Sequence, residues 1–193
     1  MNPAFQYDHY LLKRQVFALT GKFRFYNPSG ILLLFSEQKM FKLKEDIRLY
    51  CDETTSQELL QIKARQIIDF SAAYDVLDSA TGQKIGAMRR KGFRSMVRDE
   101  WDVMDASDLV IGKLFEDNIS QALLRRFLFG GYLLPQNYDI SMREQRIGDL
   151  KQRLNLFRYE LILDFSMDSM RLLDRRLGIA AGILLAAIEG RQQ

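Results

Sequence analysis

Short segments in which apolar and polar residues alternate recur along the chain and predict β-strands. The clearest is FRFYNPSGILLLFSE, where two apolar runs flank the turn sequence Asn27-Pro28-Ser29-Gly30 and predict a β-hairpin. Other candidates are KMFKLK, DIRLYCDE, ELLQIKA, RQIIDFS and, last along the chain, RYELILDF. With the hairpins described next, these segments predict about a dozen strands.

A weak internal repeat indicates that successive hairpins share one design. The sequences YDVLDSATGQKIGAM, WDVMDASDLVIGKL and, more faintly, YDISMREQRIGDL each begin with an aromatic residue, an aspartate and a β-branched residue, then turn and return with Ile-Gly. The glycine in each return strand predicts a β-bulge or a close approach of neighbouring backbone. Repeated hairpins of this kind favour a meander that closes into a barrel.

Two other segments have helical character. Residues 7–19 (YDHYLLKRQVFAL) place apolar residues at helical intervals, and residues 118–131 (NISQALLRRFLFGG) begin with a capping asparagine and end with Gly-Gly. We therefore predict a helix in each. No stretch resembles a flexible linker, and the length suits one folding unit, so the sequence predicts a single domain over residues 1–193.

The most apolar run is RRLGIAAGILLAAIEG, residues 175–190, which contains no charge from Leu177 to Ile188. A bilayer span needs about 20 such residues, whereas runs of about 10–14 are more often buried core helices. The run is apolar on every side of a helical wheel, which argues against a surface helix. A helix from Arg176 to Gly190 would be about 22 Å long. A strand of about six or seven residues has the same length, so the helix would fit inside a barrel of such strands.

Composition adds little about function. The net charge is only +3, which implies no strong overall attraction to nucleic acid. Cys51 is the single cysteine, so it cannot form an internal disulfide, and this fits a reducing compartment. The first residues lack the charged start and apolar core of a secretory signal. We therefore expect a cytoplasmic protein.

Four stretches resemble the LURP-one-related family, within the wider Tubby C-terminal and phospholipid scramblase superfamily. They are FKLKEDIRLYCDE, IKARQIIDFSAAYDV, RRKGFRSMVRDEWDVMD and LDRRLGIAAGILLAAIEG, they occur in family order, and they cover most of residues 20–190. The resemblance implies an all-β fold with helices: a closed twelve-stranded antiparallel barrel around a buried C-terminal helix. It also implies binding rather than catalysis, because better-understood relatives bind membrane phosphoinositides or are associated with lipid movement.

The charge is concentrated in the segment KIGAMRRKGFRSMVR, residues 84–98, called the basic hairpin below. Its six cations are Lys84, Arg89, Arg90, Lys91, Arg94 and Arg98, with no acidic residue between Asp78 and Asp99. Such a patch can bind anionic lipid headgroups, at about 1 kcal/mol per cation, or nucleic-acid phosphates. The alternative is a solvated hairpin whose cations pair with acidic neighbours such as RDEWD.

Residues able to carry out catalysis or to bind a metal are sparse. His9 is the only histidine, and no phosphate-binding loop, nucleophile elbow or zinc spacing is present in the sequence. The scramblase resemblance directs attention to Asp164, Asp168 and Asp174 as calcium ligands, but calcium needs about six to eight oxygens gathered in one loop. The sequence therefore predicts no enzyme, no cofactor and no metal.

The expected function is a non-enzymatic binding module that docks on anionic phospholipid or phosphoinositide headgroups through the basic hairpin. Two alternatives stay open: a protein–protein or structural module, and nucleic-acid binding in a transcription-linked role. Six local cations suit a headgroup patch better than a duplex footprint. The expected location is the cytoplasm, with peripheral attachment to a membrane and no transmembrane span.

Overall fold

Twelve antiparallel strands surround one long helix in the computed structural model, which describes residues 1–15, 20–39, 46–65, 72–91, 99–117, 135–153, 155 and 158–189. A short 3-10 turn, Pro3–Phe5, precedes the first strand. The strands are β1 (His9–Gln15), β2 (Thr20–Tyr26), β3 (Leu32–Lys39), β4 (Ile47–Tyr50), β5 (Glu58–Ala64), β6 (Ala73–Asp78), β7 (Lys84–Arg90), β8 (Glu100–Asp105), β9 (Val110–Glu116), β10 (Asn137–Met142), β11 (Gln145–Arg153) and β12 (Arg158–Asp164). The helix α1 (Arg175–Glu189) follows.

Each strand pairs antiparallel with its neighbours in the chain, and β1 closes the barrel by pairing with both β2 and β12. The predicted all-β closed barrel is therefore confirmed. The predicted hairpin around residues 27–30 is also confirmed as β2 and β3, with Gly30 at the positive φ of 79° that a tight turn favours.

The predicted helix over residues 7–19 is wrong, because His9–Gln15 forms strand β1. Tyr10, Leu12 and Arg14 are buried while the residues between them are not, which is the two-residue period of a strand. Barrel closure decides the outcome, since β1 pairs residue by residue with the whole of β12. The predicted helix at 118–131 and most of the KMFKLK and RQIIDFS segments lie outside the described residues.

The internal repeat corresponds to three consecutive hairpins, β6–β7, β8–β9 and β10–β11. In each, a register shift follows the third residue of the repeat, after Val76, Val103 and Ile140 respectively. The Ile-Gly glycines also lie against the next strand. A Cβ on Gly112 would lie 2.6 Å from the Ser141 carbonyl oxygen, and one on Gly148 would lie 2.9 Å from that of Asp164. The β-bulge and the close approach, which were predicted as alternatives, therefore occur together.

The helix α1 fills the lumen. Its residues from Leu177 to Ala186 are all buried, including five leucine and isoleucine side chains. Packing is close enough that a Cβ on Gly178 would lie 2.5 Å from Phe165 Cζ, and one on Gly182 would lie 2.9 Å from Leu163 Cδ2. The C-terminal run is thus a core helix, as predicted. Among the described residues, no helix has both the length and the apolar character needed to cross a bilayer.

The start of α1 is fixed by buried and half-buried charges. The Asp174 carboxylate accepts a hydrogen bond from the backbone N–H of Arg176, as an N-cap residue does. Arg175 reaches back to Asp168, with Nη1 2.6 Å from Oδ2, and both side chains are almost completely buried, at 3% and 1% exposure. The Arg175 Nη2 atom also contacts Asp8 at 2.8 Å, which joins the helix to the segment before β1.

Because the strands alternate in direction, every second connection lies at the same end of the barrel, and the end whose connections are described in full is called the turn end below. The turn end comprises the segments 1–8, 27–31, 51–57, 79–83, 106–109, 143–144 and 165–174. The helix α1 begins at this end and runs toward the opposite one.

Candidate functional site

The basic hairpin predicted from the sequence is partly described. Lys84, Arg89 and Arg90 belong to β7, and Lys91 follows directly. Arg94 and Arg98 lie outside the described residues. The strand β7 lies between β6 and β8, so its cations face the side chains of both neighbours.

Lys84 belongs to an ion-pair network on the outside of the barrel. Its Nζ lies 2.7 Å from Asp108 Oδ1 and 3.1 Å from Asp75 Oδ1, and the Arg65 guanidinium contacts the same two carboxylates. Hydrogen bonds from Lys84 and Arg65 hold the pKa of Asp108 below its usual range. Burial raises the pKa of Asp75, but Arg65 and Lys84 together lower it by more. The pKa of Asp75 therefore lies below its usual range.

The other three cations pair with β8 and the residue before it. Nε and Nη2 of Arg89 lie 3.2 and 2.7 Å from Asp102 Oδ2. Arg90 donates to Asp99 at 2.9 Å, and Lys91 contacts Glu100 at 2.7 Å and Asp102 at 3.1 Å. The hydrogen bond to Glu100 raises the pKa of Lys91 despite its partial burial.

The four described cations are therefore already matched by carboxylates. Three of the four pair with the acidic residues of RDEWD, in the way the alternative interpretation of this segment describes. Asp99 and Asp102 are buried beneath their partners. A combined charge reversal at residues 89–91 would therefore bring like charges onto two buried carboxylates and should destabilise the fold.

A buried carboxylate pair was missed in the sequence. Asp139 in β10 lies directly opposite Asp149 in β11, and both residues are buried. The guanidinium of Arg146 bridges them, contacting Asp139 Oδ1 at 2.7 Å and also Asp149 Oδ1, while Lys151 contacts the other oxygen of Asp149 at 2.9 Å. Burial raises the pKa of Asp139, and the nearby carboxylates of Asp117 and Asp149 act in the same direction against Arg146.

Replacing Asp139 with Asn should stabilise the barrel at neutral pH. The pKa of Asp139 is raised in the folded state, so its stabilising contribution is full at low pH and is lost as the pH rises through that pKa. The gain of Asp139→Asn in the free energy of unfolding should therefore shrink as the pH falls toward 4, measured by urea denaturation. Asp75→Asn is the matched control with the opposite sign, because the pKa of Asp75 is lowered. A destabilised Asp139→Asn at pH 7 would contradict the interpretation.

The three aspartates suggested as calcium ligands have separate protein partners. Asp164 accepts hydrogen bonds from the backbone N–H and the hydroxyl of Ser166 at 2.9 and 2.7 Å. Asp168 is buried against Arg175, and Asp174 contacts Arg176 at 2.6 Å. Within the described ranges, no group of three or more His, Cys, Asp or Glu side chains is placed to hold a metal ion.

Barrel closure brings His9 to Asp164, with 3.4 Å between Nδ1 and Oδ1. The Ser166 hydroxyl donates a hydrogen bond to the same aspartate, so Asp164 is the middle residue of a Ser–Asp–His arrangement. Acyl-transfer triads instead place the histidine between the serine and the acid, where it can accept the hydroxyl proton. The Cys51 thiol is half-buried and donates to Asp52 Oδ2 at 3.3 Å. Neither group is arranged as an activated nucleophile.

Comparison with known proteins gives a family match. The family model described as LURP-one-related matches residues 32–172, which is more than half of the chain. Barrels of this kind are generally binding domains rather than enzymes. No curated protein and no solved structure shows significant similarity to the chain.

Proposed function

Because the chain belongs to the LURP-one-related family, we propose that it is a non-enzymatic binding module that recognises its ligand with the outer surface of the barrel. The observation that carries this proposal is the occupied lumen. Small barrels that bind ligands internally need an open interior. Here buried side chains of α1 occupy that interior, and two of its glycines have no room for a Cβ. The ligand site is therefore on the outside of the barrel.

The proposed ligand class is an anionic phospholipid or phosphoinositide headgroup, bound by the basic hairpin at the cytoplasmic face of a membrane. Arg89 is the best-placed described residue, because its side chain is 42% exposed. Both of its described contacts use Nε and Nη2 on a single carboxylate oxygen. A guanidinium has five donors, so Nη1 can donate to a headgroup phosphate without breaking the pair with Asp102.

The ion pairs limit the strength of this binding. Lys84, Arg89, Arg90 and Lys91 face Asp75, Asp99, Glu100, Asp102 and Asp108, so the described part of the hairpin has no excess of positive charge. Binding then depends on individual phosphate contacts and on Arg94 and Arg98. We expect weak association that falls steeply with salt, because the Debye length drops from about 10 Å at 0.1 M to about 3 Å at 1 M.

The test is co-sedimentation with vesicles of phosphatidylcholine containing phosphatidylserine or phosphoinositide, against pure phosphatidylcholine vesicles. Arg89→Gln should weaken pelleting with the anionic vesicles by about fivefold, as expected for roughly 1 kcal/mol per cation at a membrane surface. Arg48→Gln is the matched control, because Arg48 is 48% exposed and pairs with Glu58 at 2.6 Å on a different hairpin. That variant should pellet like the unaltered protein.

The outcomes separate the candidate ligands. Equal, negligible pelleting with anionic and neutral vesicles would reject headgroup binding. Equal losses for Arg89→Gln and Arg48→Gln would reject the basic hairpin as the site. Retention of duplex DNA in a parallel measurement, without vesicle binding, would favour the nucleic-acid alternative instead.

A further inference from the structure

An exposed lysine outside the basic hairpin lies beside Arg89 on the outer wall of the barrel. Lys113 belongs to β9, and the strand registers place Arg89, Asp102 and Lys113 in one row across β7, β8 and β9. Residues opposite one another in such a row point to the same face of a sheet, and Arg89 and Lys113 are both exposed, so this face is the outside. The Cα atoms of Arg89 and Lys113 are two strands apart, a distance of about 10 Å. Only the pairing of β8 with β9 brings Lys113 to this position.

Lys113 is not matched by a carboxylate. Among the residues that the structure describes, no Asp or Glu side chain lies within ion-pair distance of its Nζ atom. Asp102 lies directly opposite, but Arg89 contacts its Oδ2 at 2.7 Å and Lys91 contacts its Oδ1 at 3.1 Å. The Asp102 side chain is only 4% exposed and lies beneath these two cations. Lys113 therefore differs from the four described cations of the hairpin, which all have carboxylate partners.

Lys113 changes the charge balance of this part of the wall. The outward cations are Arg89, Lys91 and Lys113, and they face the two carboxylates of Glu100 and Asp102, which leaves a net charge of +1. The second available donor is Nη1 of Arg89, because only Nε and Nη2 of that guanidinium contact Asp102. An anionic group between Arg89 and Lys113 thus meets two cationic donors without breaking an existing ion pair.

We propose that Lys113 and Arg89 together bind one headgroup phosphate, above the buried carboxylate of Asp102. Nζ of Lys113 and Nη1 of Arg89 donate to different oxygens of that phosphate, while Asp102 holds the Arg89 guanidinium in place. This inference rests on the proposed binding of anionic headgroups and adds a residue to that site. The site then spans three strands of the wall rather than the hairpin alone. Phosphatidylserine and phosphoinositide both supply such a phosphate.

The test extends the vesicle measurement to Lys113. Lys113→Gln should weaken pelleting with anionic vesicles by about fivefold, the loss expected for one cation at a membrane surface. Lys113→Arg keeps the charge and should pellet like the unaltered protein. The melting temperatures of both variants should be unaltered, because substitutions of exposed side chains change stability little. Vesicles with phosphatidylserine and vesicles with phosphoinositide, compared at equal surface charge, identify the source of the phosphate as the headgroup that shows the larger loss.

Lys63→Gln is the matched control. Lys63 in β5 is also exposed, lies directly opposite an aspartate, Asp75, and has no carboxylate of the described residues within ion-pair distance. It lies four strands from β9, about 20 Å around the wall, which exceeds the Debye length of about 10 Å at 0.1 M salt. Its substitution should therefore change pelleting by less than about twofold.

The double variant Arg89→Gln with Lys113→Gln tests whether the two cations share one phosphate. Two independent contacts would multiply their effects to about 25-fold. Two donors to one phosphate are coupled, because each helps to hold the group that the other contacts. The double variant should therefore be weakened by clearly less than that product.

The outcomes separate this inference from the proposed function. Normal pelleting of Lys113→Gln, equal losses for Lys113→Gln and Lys63→Gln, or a multiplicative double variant would overturn the shared site, while headgroup binding by Arg89 would stand. If the unaltered protein shows no preference for anionic over neutral vesicles, the proposed function is rejected and the shared site with it.

Discussion

A chain shortened to end at Asp174 should fail to form a stable barrel. The residues removed include five buried leucine and isoleucine side chains of α1, Leu177, Ile179, Ile183, Leu184 and Leu185. Each contributes about 1.5–3 kcal/mol when buried. Their sum is comparable with the whole net stability of a typical domain, about 5–15 kcal/mol. The truncation also exposes the apolar side chains of the strands that face the lumen. The product should therefore be insoluble or, if soluble, should lack the β-sheet signal in circular dichroism.

A point substitution makes the same test without shortening the chain. Gly178→Val places a Cβ 2.5 Å from Phe165 Cζ, where a buried ring leaves no space, and should lower the melting temperature sharply. Gly30→Asn is the matched control, because nothing lies within 4 Å of a Cβ there and Asn tolerates the positive φ of that turn. A soluble, β-rich truncated protein with a cooperative melt would show that the helix is not part of the core.

Arg175→Met should destabilise the protein by about 3–5 kcal/mol, the usual cost of removing one partner of a buried ion pair. The substitution leaves the Asp168 carboxylate buried without its guanidinium, and it also removes the contact to Asp8. Burial raises the pKa of Asp168, but Arg175 and the two backbone N–H groups outweigh it and hold that pKa below its usual value. The stability from this ionised carboxylate is therefore present at neutral pH and is lost as the pH falls through the lowered pKa.

Arg176→Met provides the comparison at the next position. Arg176 also pairs with two aspartates, Asp78 and Asp174, but its partners are about one-quarter exposed, so solvent screens the interaction and the loss should be clearly smaller. Urea denaturation of both variants measures the difference. Combining Arg175→Met with Asp168→Asn should cost less than the sum of the two single changes, because no unpaired charge remains buried. Equal losses for the two arginine variants would show that burial of the pair contributes nothing.

Much of the fold could be predicted from local pattern. The Ile-Gly repeat predicted the three central hairpins together with their bulges, since each bulge follows from residues within one hairpin. The close approach of each glycine is to the strand that follows its hairpin. The length and uniform apolarity of residues 177–188 predicted a core helix. Strand β1 was missed because the spacing of the apolar residues in this segment also fits a helix. Only its pairing with β12, about 150 residues away, selects the extended form.

The candidate site depends more on tertiary contacts. The cations of the basic hairpin were identified in the sequence, but the matching of Lys84 with Asp75 and Asp108 required the pairing of β6 and β7 and the approach of the turn after β8. The Asp139–Asp149 pair depends on a one-residue register shift, which places Asp149 rather than its neighbour opposite Asp139.

Native-state hydrogen exchange tests most directly whether α1 occupies the lumen, on which the assignment of binding to the outer surface depends. The backbone amides of residues 179–186 should exchange only through global unfolding, with the same protection as the central strands β8 and β10. Protection should be unchanged by detergent, because residues 177–186 of the helix are buried inside the barrel. Exchange of these amides while the strands stay protected, or a detergent requirement for their protection, would contradict a helix-filled barrel.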